Sequence, residues 1–235
     1  LINDNNFYME QFTSFIKTII ELIKKEITND ETKQKLITYI PILKILNDNI
    51  INIISVSNEK DDLPKIVDNL IDIYKYSKNE ELISYLIKYI EQIKENIFKG
   101  YLVSKDRVKG RQIGKYIAKI ICLAIDSNIE KELANNIIQY YIDKIPIEIT
   151  KKWLDMEAFN EFIYQIIENS DIIKRNFIKT NMISKLIDFI LGKKSPLYKG
   201  DERSEFINTK GYFGPIIKSI ALLFKYYDKN ILDED

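Results

Sequence analysis

Apolar residues recur at intervals of three and four along nearly the whole chain, a period that belongs to helices. Phe12, Phe15, Ile16, Ile19, Ile20, Ile23 and Ile27 form the first stripe, the one-faced pattern of a helix set against a core. A second helix is expected from Asn29 or Asp30, with a kink or break at Pro41, which lacks an amide donor and clashes one turn back; residues 42–56 then continue the pattern. The polar run 57–62 predicts a loop, and Pro64 suits the first turn of a helix reaching about Tyr76. Asn79 followed by Glu80 and Glu81 reads as an N-cap with acidic residues at the positive end of the helix dipole. Ile83, Leu86, Ile87, Ile90, Ile93, Ile97 and Phe98 give that helix its stripe, and it ends near Gly100.

Ser104 or Asp106 is placed to cap a helix through Ile125, with Ile113, Ile117, Ile120, Ile121, Leu123 and Ala124 inward. Asn128 is placed to cap another through about Ile145, ending before Pro146. Asp155 opens a helix to Ile167, Ser170 and Asp171 a short one to Ile178, and Asn181 one to Leu191, with Gly192 as its C′ residue. A last helix runs from about Tyr212 to Tyr227, and residues 193–211, broken by Pro196, Gly200 and Gly211, form the longest loop. With 7 Gly and 5 Pro the chain is too poor in turn formers for an all-β fold. The expectation is a single all-α domain over residues 1–235. Antiparallel helix pairs repeating about every 40 residues resemble armadillo or HEAT architecture. The lack of a clean sequence repeat leaves an irregular multi-helix bundle as the alternative. Leu1 in place of an initiator Met points to a segment of something longer.

Composition removes whole classes of chemistry. The chain has no His, so Ser-His-Asp, Cys-His and His-bearing zinc arrangements are excluded. Its one cysteine, Cys122, sits among Ile120, Ile121, Leu123 and Ala124 and reads as a buried small hydrophobe with no positive neighbour to activate it. Lys and Arg number 35, as do Asp and Glu; zero net charge is the opposite of a nucleic-acid binder's footprint. No span approaches a transmembrane helix, and the lone cysteine suits a reducing compartment, cytoplasmic or nuclear. Gly110 and Gly114 lack the Gly-Lys-Ser/Thr of a phosphate loop and suit a close helix crossing instead. Asp61/Asp62 and Glu80/Glu81 are explained by loops and caps. No cofactor is expected.

Two features point to contact with a partner. Lys105, Arg107, Lys109 and Arg111 crowd the start of a predicted helix, where cations oppose the macrodipole; such a conflict marks a site for an acidic partner or an arginine that bridges to the preceding helices. Tyrosine is abundant, at 15, with pairs at Tyr140/Tyr141 and Tyr226/Tyr227 and near-pairs at Tyr74/Tyr76 and Tyr85/Tyr89. Neighbours in sequence point about 100° apart on a helix, so one ring of a pair packs and the other lies near solvent. Trp153 reads as a plug between helices.

From about Lys105 onward the chain resembles a known family. Residues 107–121, RVKGRQIGKYIAKII, resemble the VR-x-x-x-A-x-L-I helix that follows the catalytic domain in very long ubiquitin-specific proteases of the fat-facets type. Phe159-Asn160-Glu161-Phe162 resembles that family's Phe-x-x-Phe-like pair. Residues 183–192 with Ser195-Pro196 resemble its L-I-x-F-x-L-G…S-P segment, and Tyr212-Phe213-Gly214-Pro215-Ile216-Ile217 its Y-x-x-L/F-G-x-L/I helix. The order and spacing agree over roughly the last 130 residues. The resemblance implies a non-catalytic helical scaffold beside a Cys-box and His-box domain located outside this chain, so no catalytic residue carries over. Its implied partners are proteins, either ubiquitinated substrates or the parent's own catalytic domain, and neither nucleic acid nor membrane. The contact residues expected, from the cation cluster and the long loop, are Lys105, Arg107, Lys109 and Arg111, with Tyr198 and Arg203 in the 193–211 loop. The competing expectation is a free-standing armadillo/HEAT adaptor in transport or trafficking.

Overall fold

A computed structural model of the chain describes residues 2–27, 36–56, 63–97, 107–148, 153–179, 184, 186–187 and 214–232. Among these residues every regular element is helical: α1 (Ile2–Ile27), α2 (Leu36–Val56), α3 (Leu63–Ser77), α4 (Glu80–Ile97), α5 (Arg107–Asp126), α6 (Lys131–Glu148), α7 (Trp153–Asn169), α8 (Asp171–Lys179) and α9 (Gly214–Leu232). The fold is all-α. Ser184, Leu186 and Ile187 are helical within the expected 181–191 segment. The 57–62 and 193–211 loops and the caps at Ser104 and Asp106 lie outside the described residues.

Local chemistry sets several boundaries. Pro64 occupies the first turn of α3, where its missing amide costs nothing. The Asn79 side chain accepts from the Leu82 amide at 2.8 Å, which starts α4. Ser170 does the same for α8, accepting from the Ile173 amide at 3.4 Å. Three expectations are corrected. Leu36–Val56 runs as one helix through Pro41, without the break allowed for there; Pro41 is exposed. α6 likewise includes Pro146 and ends at Glu148, because the proline's fixed φ is itself helical and only one amide bond is forgone in the last turn. Asn128 does not cap α6: at φ 56° it is the left-handed residue that closes α5. Its amide donates to the Ile125 carbonyl at 3.1 Å and that of Ile129 to the Ala124 carbonyl at 2.9 Å, the two bonds of a Schellman ending. α7 starts at Trp153, two residues before Asp155, and α9 runs past Tyr227 to Leu232.

The helices stack in two layers. α1 packs on α3, α3 on α5 and α5 on α7; α2 packs on α4 and α4 on α6; α9 closes against α7 and α8. Side-chain contacts give the directions. Lys44 reaches Glu81 and Tyr85 reaches Asp48, each pair 37 residues apart. Two contacts advancing together at one offset require that α2 and α4 run parallel. Cys122 to the Ile166 carbonyl and Ser170 to Asp126 are each 44 apart and make α5 and α7 parallel as well. Lys24 meets Asn69 and Asp72 at offsets of 45 and 48 between α1 and α3.

α5 holds the stack together. Its buried residues cover more than a stripe: Ile113, Tyr116, Ile117, Ala118, Ile120, Ile121, Cys122, Ala124 and Ile125 are all at most 4% exposed. Gly110, Gly114, Ala118 and Cys122 recur every fourth residue and are all buried, so one ridge of α5 is built of small side chains. That ridge lets α7 approach until the Cys122 thiol lies 3.9 Å from the Ile166 carbonyl, and the α5–α7 contact is the most extensive among the described helices. Phe159, Phe162, Ile163, Ile166 and Ile167 supply its other half, and one buried cluster continues from Ile16 to Leu223. Ala118→Leu is therefore expected to overpack this crossing and cost about 1–3 kcal/mol, measured by urea denaturation. An unchanged midpoint would show that α7 does not sit against that ridge.

Candidate interaction surface

The polar side chains between neighbouring helices form rungs on each layer. On the layer of α1, α3, α5 and α7, the Lys24 ammonium lies 2.6 Å from Asp72 and 2.9 Å from Asn69. Lys115 lies 2.7 Å from Asp68, and Lys119 donates to Asn169. On the other layer Lys44 pairs with Glu81 at 2.6 Å, 5.0 Å from the Tyr85 ring centre. Tyr85 donates to the Asp48 carboxylate at 2.7 Å and Tyr89 to the Asp48 backbone carbonyl at 3.1 Å. Glu130 joins Ser84 and Lys88 at 2.7 and 3.0 Å. Exposed ion pairs of this kind contribute roughly 0–1 kcal/mol each; their main effect is to fix which turn of one helix faces which turn of the next.

Beneath Asp48, Asn47 is fully buried. Tyr116 donates to its side-chain oxygen at 2.6 Å, and the Tyr74 and Tyr116 hydroxyls lie 3.5 Å apart with the rings edge to face. The Asn47 amide nitrogen is buried without a hydrogen-bond partner, a cost of about 1–3 kcal/mol held by the surrounding packing.

The titrations of this surface are those of structural groups. Hydrogen bonding to Asp48 pushes Tyr85 up to about 12; loss of solvent, then the Asp48 charge, does the same to Tyr89. Burial raises Tyr74, Tyr116 and Tyr141. Burial also lifts the Cys122 thiol to about 12, leaving no thiolate at neutral pH. Burial and then Lys75 lower Lys119, while the Ser84 hydroxyl and then Lys88 lower Glu130. Among the described residues no three His, Cys, Asp or Glu side chains come close enough to hold a metal ion, and no helix is long and apolar enough to cross a membrane.

The residues expected to meet a partner are not brought together as one open patch among the described positions. Lys109 is 9% exposed, because positions 109, 113, 116 and 120 share the face of α5 that enters the core. Arg111 is half-buried, and both residues are engaged in interactions within the structure. Arg107 begins α5; Lys105, Tyr198 and Arg203 lie outside the described residues. The tyrosine pairs divide as expected at Tyr141, buried, with Tyr140 half-buried, and at Tyr74, buried, with Tyr76 exposed. Asp48, the hub for Tyr85 and Tyr89, was not legible locally: its partners are 37 and 41 residues away. Phe15, a member of the first apolar stripe, is 61% exposed. No protein-family model, curated protein or solved structure matches this chain.

A raised tyrosine pKa disfavours the charged form in the folded state. The stability it contributes is complete below pH 10 and is lost as pH rises toward about 12. Spectroscopic titration of tyrosinate should show Tyr85→Phe and Tyr89→Phe removing absorbance that appears only above about pH 11. Absorbance removed near pH 10 would mean that the Asp48 cluster is open to water.

Proposed function

We propose that this chain is a helical-repeat scaffold of the armadillo/HEAT class that acts by binding proteins, within a large ubiquitin-specific protease whose thiol chemistry lies outside it. The observation that carries the scaffold reading is the parallel packing of α2 on α4 and of α5 on α7, with contacts at offsets of 37–50 residues. That spacing brackets the roughly 40–47 residues of armadillo and HEAT repeats and exceeds the roughly 34 of tetratricopeptide repeats. A stack of this kind exposes long polar rows on both layers, and such surfaces serve partner binding. The deubiquitinase reading is supported by the ordered resemblance of residues 107–121, 159–162, 183–192 and 212–217. The first of these segments forms most of α5 and the second lies in α7, the pair most extensively packed. The role follows from what the residues can do. Without His, and with the one thiol buried and protonated, the chain positions substrates or a catalytic domain. Arg107 and Arg111 at the start of α5 are its proposed contact residues. The setting proposed is the cytoplasm or nucleus.

The test uses a fluorogenic ubiquitin substrate and ubiquitin chains with the full-length polypeptide that carries this segment. The isolated chain is expected to be inactive and the full-length protein to cleave both substrates in a thiol-dependent way. Deletion of residues 1–235 is expected to slow chain cleavage at least about tenfold while sparing the small substrate. A full-length protein without thiol-dependent cleavage sinks the deubiquitinase reading and leaves the adaptor.

A further inference from the structure

α5 separates charge more sharply than the chain around it. Cations and anions balance over the whole sequence, yet α5 carries Arg107, Lys109, Arg111, Lys115 and Lys119 and no carboxylate before Asp126, its last residue. Every described position of α5 that is not buried falls within about 60° of one line along the helix. On that line Arg111, Lys115 and Lys119 follow one another at intervals of four, where like charges repel. The strip lies in the middle of the chain, with α3 on one side and α7 on the other: Lys115 lies 2.7 Å from Asp68, and Lys119 donates to Asn169. The other carboxylates of the neighbourhood have their own partners. Asp72 is held by Lys24, Glu161 by Gln165, Glu168 by Tyr164 and Asp126 by Ser170. Among the described residues Lys119 has a neutral amide oxygen as its acceptor and no carboxylate at ion-pair distance. Burial, and then the charge of Lys75, exposed in the last turn of α3, oppose its protonated form.

We propose that the Arg111–Lys115–Lys119 strip, with Lys75 at its edge, is a docking surface for an acidic segment of a protein partner. Successive cations stand about 6 Å apart along the helix. Alternate side chains of an extended peptide stand about 6.6 Å apart, so carboxylates at every second residue meet the row in register. A carboxylate brought to Lys119 gives that ammonium an anionic acceptor and offsets the Lys75 charge. Arg111 and Lys115 already hold partners, and at Lys115 the incoming carboxylate shares the cation with Asp68, in an ion pair at the surface that is worth little. A row of one sign selects a partner of the other sign, which sets docking orientation and association rate more than raw affinity. The chain's zero net charge favours an acidic protein over a nucleic acid. This assigns a partner chemistry to the protein-binding role proposed above; it rests on that role and not on the deubiquitinase setting.

The probe is a fluorescein-labelled peptide of about twelve residues alternating glutamate and serine, mixed with the whole chain at low salt. Fluorescence anisotropy is expected to show saturable binding that Lys115→Glu and Lys119→Glu each weaken at least about fivefold. Lys131→Glu, exposed at the start of α6 and outside the strip, should leave it unchanged, and salt at roughly 0.5 M should abolish it. Carbodiimide coupling on the native chain should join the peptide to Lys75, Lys115 or Lys119, located by mass spectrometry of the digest. Absence of saturable binding overturns the proposal, and so does an equal loss in the Lys131→Glu variant or coupling confined to lysines elsewhere. An oligothymidylate of matching charge that binds more tightly through the same lysines also overturns it, since the strip would then serve nucleic acid. If a glutamate variant loses helicity, the coupling pattern on the native chain decides alone. The cleavage test above and this binding test read different events, so either reading can fail without the other.

Discussion

The architecture depends on how closely α5 and α7 can approach. α5 is nearly surrounded, packing against α2, α3, α4, α6 and α7, and such a helix must present both bulk and a smooth ridge. Ile113, Tyr116, Ile117, Ile120 and Ile121 supply the bulk, and Gly110, Gly114, Ala118 and Cys122 the ridge. Interiors pack as densely as organic crystals, so these two surfaces are not interchangeable. Once α7 is seated on the small-residue ridge, α8 and α9 follow it, and α3 and α4 take the remaining faces. The glycines cost helix propensity, about 1 kcal/mol each relative to alanine, and the closeness of the crossing offsets that cost.

Polar contacts act on top of this as register marks. Lys44–Glu81, Tyr85–Asp48, Lys115–Asp68 and Lys24–Asp72 all lie at or near the surface, where each is worth little in stability. Together they select one turn-to-turn alignment from several that the apolar faces alone would tolerate. The buried Asn47–Tyr116–Tyr74 chain adds a stricter constraint at the α2–α3–α5 junction. Sliding α2 by one turn would strand the Tyr116 hydroxyl without its 2.6 Å acceptor, in a site where an unpaired donor is costly.

Local features were well signalled by residue order. Apolar spacing located the described helices, Asn79 and Ser170 announced their caps, and the apolar neighbours of Cys122 announced its burial. What escaped reading was decided by distant residues. Pro41 and Pro146 are tolerated because the surrounding helix is held by packing, which local propensity does not see. Asn128 was read as a start and is an ending, since asparagine suits both a cap and a left-handed turn, and only the bonds back to Ala124 and Ile125 separate the two. Lys109 reads as surface charge in sequence, and is buried because α5 is packed nearly all round. The parallel packing of α2 on α4 and of α5 on α7 is written in contacts 37 and 44 residues apart, beyond any local pattern.

The central claim is that α2 and α4 run parallel, as α5 and α7 do, and paired cysteines on α2 and α4 test it most directly. Lys44→Cys with Glu81→Cys, and Asp48→Cys with Tyr85→Cys, should both be joined rapidly by a short bifunctional thiol reagent, with buried Cys122 unreactive. Rapid joining of Asp48→Cys with Glu81→Cys in place of these two pairs would mean that the helices run antiparallel, and would sink the proposed repeat stack.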